Sequence, residues 1–159
     1  HQPMVERYGE SLHDIDPALR LAVENHKLDP AGFERWANEN DWLTLDVEHL
    51  WKFTLNDAPL PILVETVNLF LSRFGEKLIH VHLPGYLPGG EEHRPLYFSR
   101  DMVFSVLSLL AEYQFAGLIV SEVHPEYQNY HELHMDTLLF ERWIEVHRAD
   151  KPRVVEDVA

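Results

Sequence analysis

The hydrophobic and polar positions of this chain follow two alternating patterns. Short apolar runs, typical of strands buried on both faces, cover residues 19–25, 42–47, 78–83 and 117–123. Between them and after the last, apolar residues recur three and four positions apart. This predicts a helix from residues 29–30 onward and helices over residues 59–74, 99–114 and 135–147, with the end of a further helix within residues 4–13. The chain is therefore expected to consist of four strand–helix units.

Polar residues and glycine mark several of the predicted helix ends. Asp29 directly precedes Pro30, the order expected when an aspartate accepts a hydrogen bond from the first helical turn. Ser99 is predicted to cap the start of the third helix, and Gly75 to close the second. The intervals between strands are long enough for a helical crossover, so neighbouring strands are expected to be parallel, in an α/β fold.

Charge and length limit the classes of function. The 159 residues are 45% hydrophobic, which is enough for one folded domain with a core. The formal net charge is −14, from 27 acidic and 13 basic residues, and a surface of this sign repels nucleic-acid phosphates. Nucleic acid is therefore not an expected partner, and the charge also favours solubility.

The chain contains no cysteine, which excludes disulfides and thiolate metal sites and is consistent with a reducing compartment. No signal peptide is recognisable, and the longest apolar stretch, residues 61–74, is interrupted by Glu65 and Asn68. We therefore expect a cytoplasmic protein with no membrane association.

Each predicted strand carries an ionisable residue near its carboxyl end. In chain order these residues are Glu24, Asp46, His82 and Glu122. Charged groups in apolar strands are costly unless they are paired or bind a metal, and the carboxyl ends of parallel strands meet at one edge of a sheet. Three carboxylates and one imidazole suit Mn²⁺, Mg²⁺, Co²⁺ or Zn²⁺, so we predict one shared divalent-metal site.

The segments VENH, LDVEH, HVHL and VSEV, one at each strand end, resemble the xylose isomerase-like TIM barrels. That superfamily includes sugar isomerases, ketose epimerases and endonuclease IV, and the resemblance extends from about residue 19 to residue 143. In the epimerase branch it implies Glu24, Asp46, His82 and Glu122 as metal ligands. It also implies that His49, the histidine of the Asp-x-x-His motif, lies near the metal or the substrate.

The number of strands differs from that of a complete barrel. A (β/α)₈ barrel has eight strands and typically about 250 residues, whereas this chain has four predicted strands. The resemblance therefore implies the C-terminal half of such a barrel over residues 1–150, with a charged tail at residues 151–159. We expect an N-terminal half-barrel, or a second chain, to complete it.

Further candidates lie in the loops beyond the strands. His49, His93, Arg94 and His124 are the predicted substrate-binding residues, although Arg94 comes twelve residues after His82, farther than in the epimerases. The loop that begins at Pro84-Gly85 is interpreted either as a shaped substrate lid or as a solvated loop. His26 and His124 either line the mouth of the site or are exposed loop histidines, and His80 is expected to be a hydrogen-bonded structural histidine.

The leading hypothesis is a metal-dependent isomerase or epimerase of a sugar or a related polyhydroxy compound. Glu24 and Glu122 would remove and return a proton through an enediolate, and the substrate would be a small molecule. Three alternatives stay open. They are an endonuclease IV-like phosphodiesterase with several metal ions, an iron-dependent oxygenase on the same barrel, and a non-catalytic binding protein with a degenerate site.

Overall fold

The computed structural model of the protein describes residues 2–150, and the predicted tail, residues 151–159, lies outside them. Four strands form one parallel sheet in sequence order: β1 (Val23–Glu24), β2 (Leu43–Asp46), β3 (Leu78–His82) and β4 (Leu118–Val120). Each strand lies within a predicted apolar run, and a helix follows each. The predicted α/β fold, with four parallel strand–helix units as in half of a TIM barrel, is confirmed.

Within residues 2–150 the α-helices are α1 (Gln2–Ile15), α2 (Pro30–Glu39), α3 (Val47–His49), α4 (Leu60–Phe74), α5 (Arg100–Glu112) and α6 (Tyr130–Asp150). A π-helical turn, Leu50–Thr54, follows α3, and short 3-10 turns cover Gly75–Lys77, Leu96–Ser99 and Pro125–Tyr127. Asp29 caps α2 as predicted, since its Oδ1 accepts from Gly32 N–H at 2.6 Å. Ser99 precedes α5 without a capping hydrogen bond, because its hydroxyl accepts from Tyr86 N–H at 2.9 Å. None of these helices is long and apolar enough to cross a bilayer.

The helices cover one face of the sheet and form the hydrophobic core with it. The buried strand residues on this face include Val23, Leu43, Leu45 and Val81, and the helix residues packed with them include Trp36, Val67, Phe70, Val103 and Val106. Trp36 stacks on Phe70 with ring centroids 5.7 Å apart, which joins α2 to α4. The core thus fixes the strand ends from one side of the sheet.

The opposite face of the sheet is polar on β2 and β3 and apolar on β4. Across the three strands, the paired rows are Thr44–His80–Leu118 and Asp46–His82–Val120. Paired residues point to the same face, so Leu118 and Val120 belong to the same face as the two histidines. Leu118 is 69% exposed and Val120 38%. Within the described residues this face is not covered by helices, as expected for the inner face of half a barrel.

Candidate metal centre

The carboxyl ends of β1, β2 and β3 bring three of the predicted metal ligands together. A carboxylate oxygen of Glu24, one of Asp46 and a ring nitrogen of His82 all lie within 4.8 Å of one another. Atoms that bind one divalent ion are each about 2.0–2.6 Å from it, so two of them are at most about 5 Å apart. The three side chains therefore have the spacing that a shared ion requires.

Asp46 presents one fixed and one available carboxylate oxygen. The side chain is fully buried, and its Oδ1 accepts from His49 N–H at 2.8 Å, which caps α3. Its Oδ2 is buried without a hydrogen-bond partner, 3.7 Å from His82 Nδ1 and 3.6 Å from His49 Nδ1. A buried carboxylate oxygen is costly to leave unpaired, so this environment fits a divalent cation.

Asn25 extends the pairing of β1 with β2 beyond the last residue of the ladder. Its buried side chain accepts from Asp46 N–H at 2.6 Å and donates to Asp46 O at 2.9 Å. Two residues earlier, at the start of β1, Trp36 Nε1 donates to Val23 O at 2.9 Å. These side-chain bonds hold the Glu24 and Asp46 backbones in register where the strand itself has ended.

His49 lies between the candidate metal ligands and the surrounding loops. It is buried, and its Nδ1 lies 3.0 Å from Glu24 Oε1. Although burial favours the neutral ring, the neighbouring Glu24 and Asp46 carboxylates raise the pKa of His49 above its usual range. The same contact lowers the pKa of Glu24 below its usual range. The rings of His26 and His93 approach His49 edge-on, with centroids 4.7 and 5.9 Å away.

His82 connects the buried ligands to Glu122. Its Nδ1 lies 2.8 Å from Glu122 Oε2 and 3.7 Å from Asp46 Oδ2, yet makes no hydrogen bond of good geometry. Burial favours the neutral ring, but the neighbouring carboxylates raise the pKa of His82 above its usual range. The Glu122 side chain is 46% exposed and is not part of the group of three ligands. Glu122 therefore adjoins the centre through His82.

The loop after β3 places His93 beside His49. The ring of His93, the carboxylate of Glu92 and the ring of His49 offer ligand atoms within 4.8 Å of one another. A further group of this kind consists of Glu24, His26 and His49. His49 thus belongs to both of these further groups of possible metal ligands, which adjoin the group of Glu24, Asp46 and His82.

The other two predicted substrate-binding residues have different surroundings. Arg94 Nη2 lies 2.6 Å from Glu91 Oε2, and its guanidinium lies 5.0 Å from the centre of the Phe98 ring. The His124 ring is exposed, with Nδ1 3.7 Å from Glu126 Oε1. His124 N–H donates to His93 O at 2.7 Å, so its backbone, rather than its ring, contacts the loop.

His80 lies two residues before His82 on β3, on the same face of the sheet and farther from the carboxyl end. Their rings meet edge-on with centroids 4.9 Å apart, and burial lowers the pKa of His80. The expectation of a hydrogen-bonded structural histidine is not met at Nε2, which is buried without a hydrogen-bond partner. The two neighbouring imidazoles instead continue the polar face of the sheet below the candidate metal ligands.

Three residues of the site were not predicted from the sequence: Glu48, Glu92 and Asn25. Glu48 is fully buried between Asp46 and His49, and burial raises its pKa to about 8. The available signal was the position of Glu48 inside the LDVEH segment, directly after an apolar strand. No signal of that kind marked Glu92, whose place depends on the course of the loop.

No protein-family model matches the chain, and no curated protein matches it significantly in sequence. Among solved structures, it is similar to a crystal structure described as that of a D-tagatose 3-epimerase-like protein. The TM-score is 0.62 at 20% sequence identity, and the match covers 91% of this chain. It covers 56% of the other chain, so this chain spans little more than half of that protein's length. The predicted resemblance is confirmed at the level of the fold.

Proposed function

We propose that this chain carries the metal-binding part of the active site of an isomerase or epimerase of a sugar or a related polyhydroxy compound. The observation that carries the proposal is the convergence of Glu24, Asp46 and His82 at the carboxyl ends of parallel strands, where TIM-barrel enzymes have their active sites. The fold shared with a D-tagatose 3-epimerase-like protein supports the same class of substrate.

The donor set suits Mn²⁺, Mg²⁺, Co²⁺ or Zn²⁺. Glu24, Asp46 and His82 would hold the ion, with Glu122 as the fourth ligand. The buried Asp46 Oδ2 without a hydrogen-bond partner supports a cation at this point. When bound, the ion would polarise a substrate carbonyl and acidify the adjacent C–H bond.

We assign proton transfer to Glu24 and Glu122. They stand at the two ends of the ligand row, Glu24 on β1 and Glu122 after β4. Contact with His49 lowers the pKa of Glu24, which favours the ionised form, and only the ionised form of a carboxyl group can accept a proton. One glutamate would take a proton from one face of the α-carbon and the other would return a proton to the opposite face, through an enediolate.

Substrate hydroxyls would contact His49 and His93, whose rings form one wall beside the ligands. Arg94 and His124 would act farther out, at the mouth of the site. The uncovered inner face of the sheet supports a second half-barrel, from an N-terminal segment or from another chain, as the partner that encloses the substrate.

The test combines metal analysis with solvent exchange in the full-length protein. We expect one bound divalent ion per chain and metal-dependent exchange of a ketose α-hydrogen with deuterated solvent. Chelation should stop the exchange, and Mn²⁺ or Co²⁺ should restore it. Full metal occupancy without exchange on any of a panel of ketoses and aldoses would contradict the proposal.

A phosphodiesterase with several metal ions is the second candidate, because two further groups of ligand type adjoin the first and share His49. It predicts more than one zinc ion per chain and cleavage of abasic DNA. The net charge of −14 disfavours nucleic-acid substrates. The number of metal ions per chain, measured in the same metal analysis, decides between the two functions.

A further inference from the structure

The loop after β3, residues 84–95, is tied down along its whole length. Gly85 and Arg94 form an antiparallel bridge, with N···O distances of 2.7 and 3.1 Å. At the tip, the Asp57 carboxylate accepts from Tyr86 Oη–H at 2.7 Å and from Gly89 N–H at 2.9 Å. Lys52 Nζ lies 2.8 Å from Glu92 Oε1. Because these contacts hold the loop along its length, we expect it to form a rigid wall beside the site rather than a mobile lid.

The backbone of His93 is the innermost of these fixed points. Its φ is 58°, a left-handed conformation that residues other than glycine adopt mainly where surrounding contacts hold them. His93 N–H donates to Glu48 Oε2 at 2.8 Å, and His93 O accepts from His124 N–H at 2.7 Å. The peptide groups on both sides of His93 are therefore held by the segments that follow β2 and β4.

Glu48 connects the backbone of His93 to the segment that holds Asp46 and His49. It lies two residues after Asp46 and directly before His49, and its side chain is fully buried. One carboxyl oxygen binds His93 N–H, and the other, Oε1, is buried without a hydrogen-bond partner. Burying a carboxyl group is unfavourable where an apolar side chain would fill the same space. The hydrogen bond from His93 N–H to Glu48 offsets part of the free-energy cost of burying this carboxyl group.

We propose that Glu48 is a positioning residue that holds His93 beside His49, so that residues 84–95 form a preformed wall of the substrate site. The inference rests on the proposed function only in that the His93 ring contacts a substrate hydroxyl. The attachment itself is a property of the protein without substrate, and it can be tested separately.

The first test measures amide hydrogen exchange in the full-length protein. The His93 amide should exchange far more slowly than an exposed loop amide, and Glu48→Leu should speed its exchange about tenfold, the effect of losing a hydrogen bond to a buried carboxyl oxygen. Glu48→Gln retains an acceptor oxygen and should largely preserve the protection. If the wild-type His93 amide exchanges as fast as an exposed loop amide, the proposal is overturned, whether or not Glu48→Leu folds.

Asp57→Ala provides the matched control. It removes the attachment of the loop tip at Gly89 and Tyr86 but not that of His93. Exchange at Gly89 should become faster while the His93 amide stays protected. If Asp57→Ala exposes His93 as much as Glu48→Leu does, the loop opens as one unit and Glu48 has no special role.

The second test is a double-mutant cycle on turnover with His93→Ala. Glu48→Leu should raise KM about tenfold or more in the wild-type background, and it should change KM little once the His93 ring is absent. Metal affinity should be unchanged in all four proteins. Additive effects on KM would show that Glu48 acts independently of His93 and would overturn the proposal. Absence of turnover in the wild type would instead count against the proposed function, and the exchange data would still stand.

Discussion

The two ends of the ligand row differ in how completely the chain encloses them. At the β1–β2 end, Asp46 is fully buried, and Asn25 joins the two strand ends by two hydrogen bonds. At the β4 end, Glu122 is 46% exposed and the preceding Leu118 is 69% exposed. β1 and β4 are the two edge strands of the same sheet. At the β1–β2 end, a buried side chain thus extends the pairing of an edge strand, whereas the Glu122 carboxylate at the β4 end stays partly exposed.

The difference separates the proposed roles of Asp46 and Glu122. Rigid, buried oxygens favour tight metal binding because they are already oriented without the ion. A half-exposed carboxylate is free to reorient, which suits a group that must both give and take a proton. We therefore expect replacement of Asp46 to act mainly on the metal and replacement of Glu122 to act mainly on turnover.

Replacing Asp46 should have the largest effect. Asp46→Asn keeps an oxygen that can cap α3 but removes the charge that balances a cation. Metal affinity should fall more than about 100-fold, since even indirect contacts to metal ligands contribute about 10- to 100-fold, and turnover should fall with it. Titration calorimetry with Mn²⁺ measures the affinity. Asp41→Asn, at the other end of β2 and exposed, is the matched control. Equal affinity in the two variants would remove Asp46 from the site.

Glu122→Gln should affect turnover more than metal binding. Glutamine keeps the volume and one oxygen but cannot transfer a proton at neutral pH, so the rate should fall about 10²–10⁴-fold. The measurement is α-hydrogen exchange with deuterated solvent, with metal occupancy determined in the same sample. Glu112→Gln, on the exposed end of α5, serves as the control. Unchanged exchange at full occupancy would make Glu122 a structural ligand only.

Leu118→Ser in the full-length protein tests whether the exposed β4 face is covered there. If a second half-barrel packs on it, the substitution should lower the free energy of unfolding by about 2–4 kcal/mol, as in a core position. Leu87→Ser, at a loop leucine of 47% exposure, should cost less than about 1 kcal/mol. Urea denaturation of both variants gives the comparison. Similar small losses would mean that the β4 face remains in water.

Asn25→Ala should have the smallest of these effects and should act on stability. It removes two hydrogen bonds to the Asp46 backbone and leaves both groups buried, which should cost about 1–3 kcal/mol of unfolding free energy. Asn38→Ala, at an exposed position of α2, should be nearly neutral. A loss in Asn25→Ala no greater than in Asn38→Ala would show that the strand ends are held by other contacts.

The sequence predicted those parts of the fold and site that depend on the backbone alone. The short apolar run before His82 predicted a buried strand, and the carboxyl ends of parallel strands, here β1, β2 and β3, lie at one edge of the sheet with Glu24, Asp46 and His82. The length of β1 was overestimated, because only Val23 and Glu24 pair with β2, whereas the predicted run covers residues 19–25.

Contacts between distant segments could not be predicted in the same way. Glu48 binds the His93 amide 45 residues later, and this pairing depends on a left-handed backbone that no local pattern encodes at a histidine. Ser99 has the sequence features of a helix cap, but Tyr86 N–H competes for its hydroxyl. In both cases a tertiary hydrogen bond determines what the side chain does.

The unpaired edge of β4 has a practical consequence for handling this chain. Its outer backbone N–H and C=O groups are not paired with another strand in residues 2–150, and Leu118 and Val120 beside them are apolar. Such an edge is a template for strand pairing between molecules, so samples of this segment alone are expected to self-associate as their concentration rises. A lysine in place of Leu118 would oppose that association, since charged residues on edge strands discourage pairing between copies.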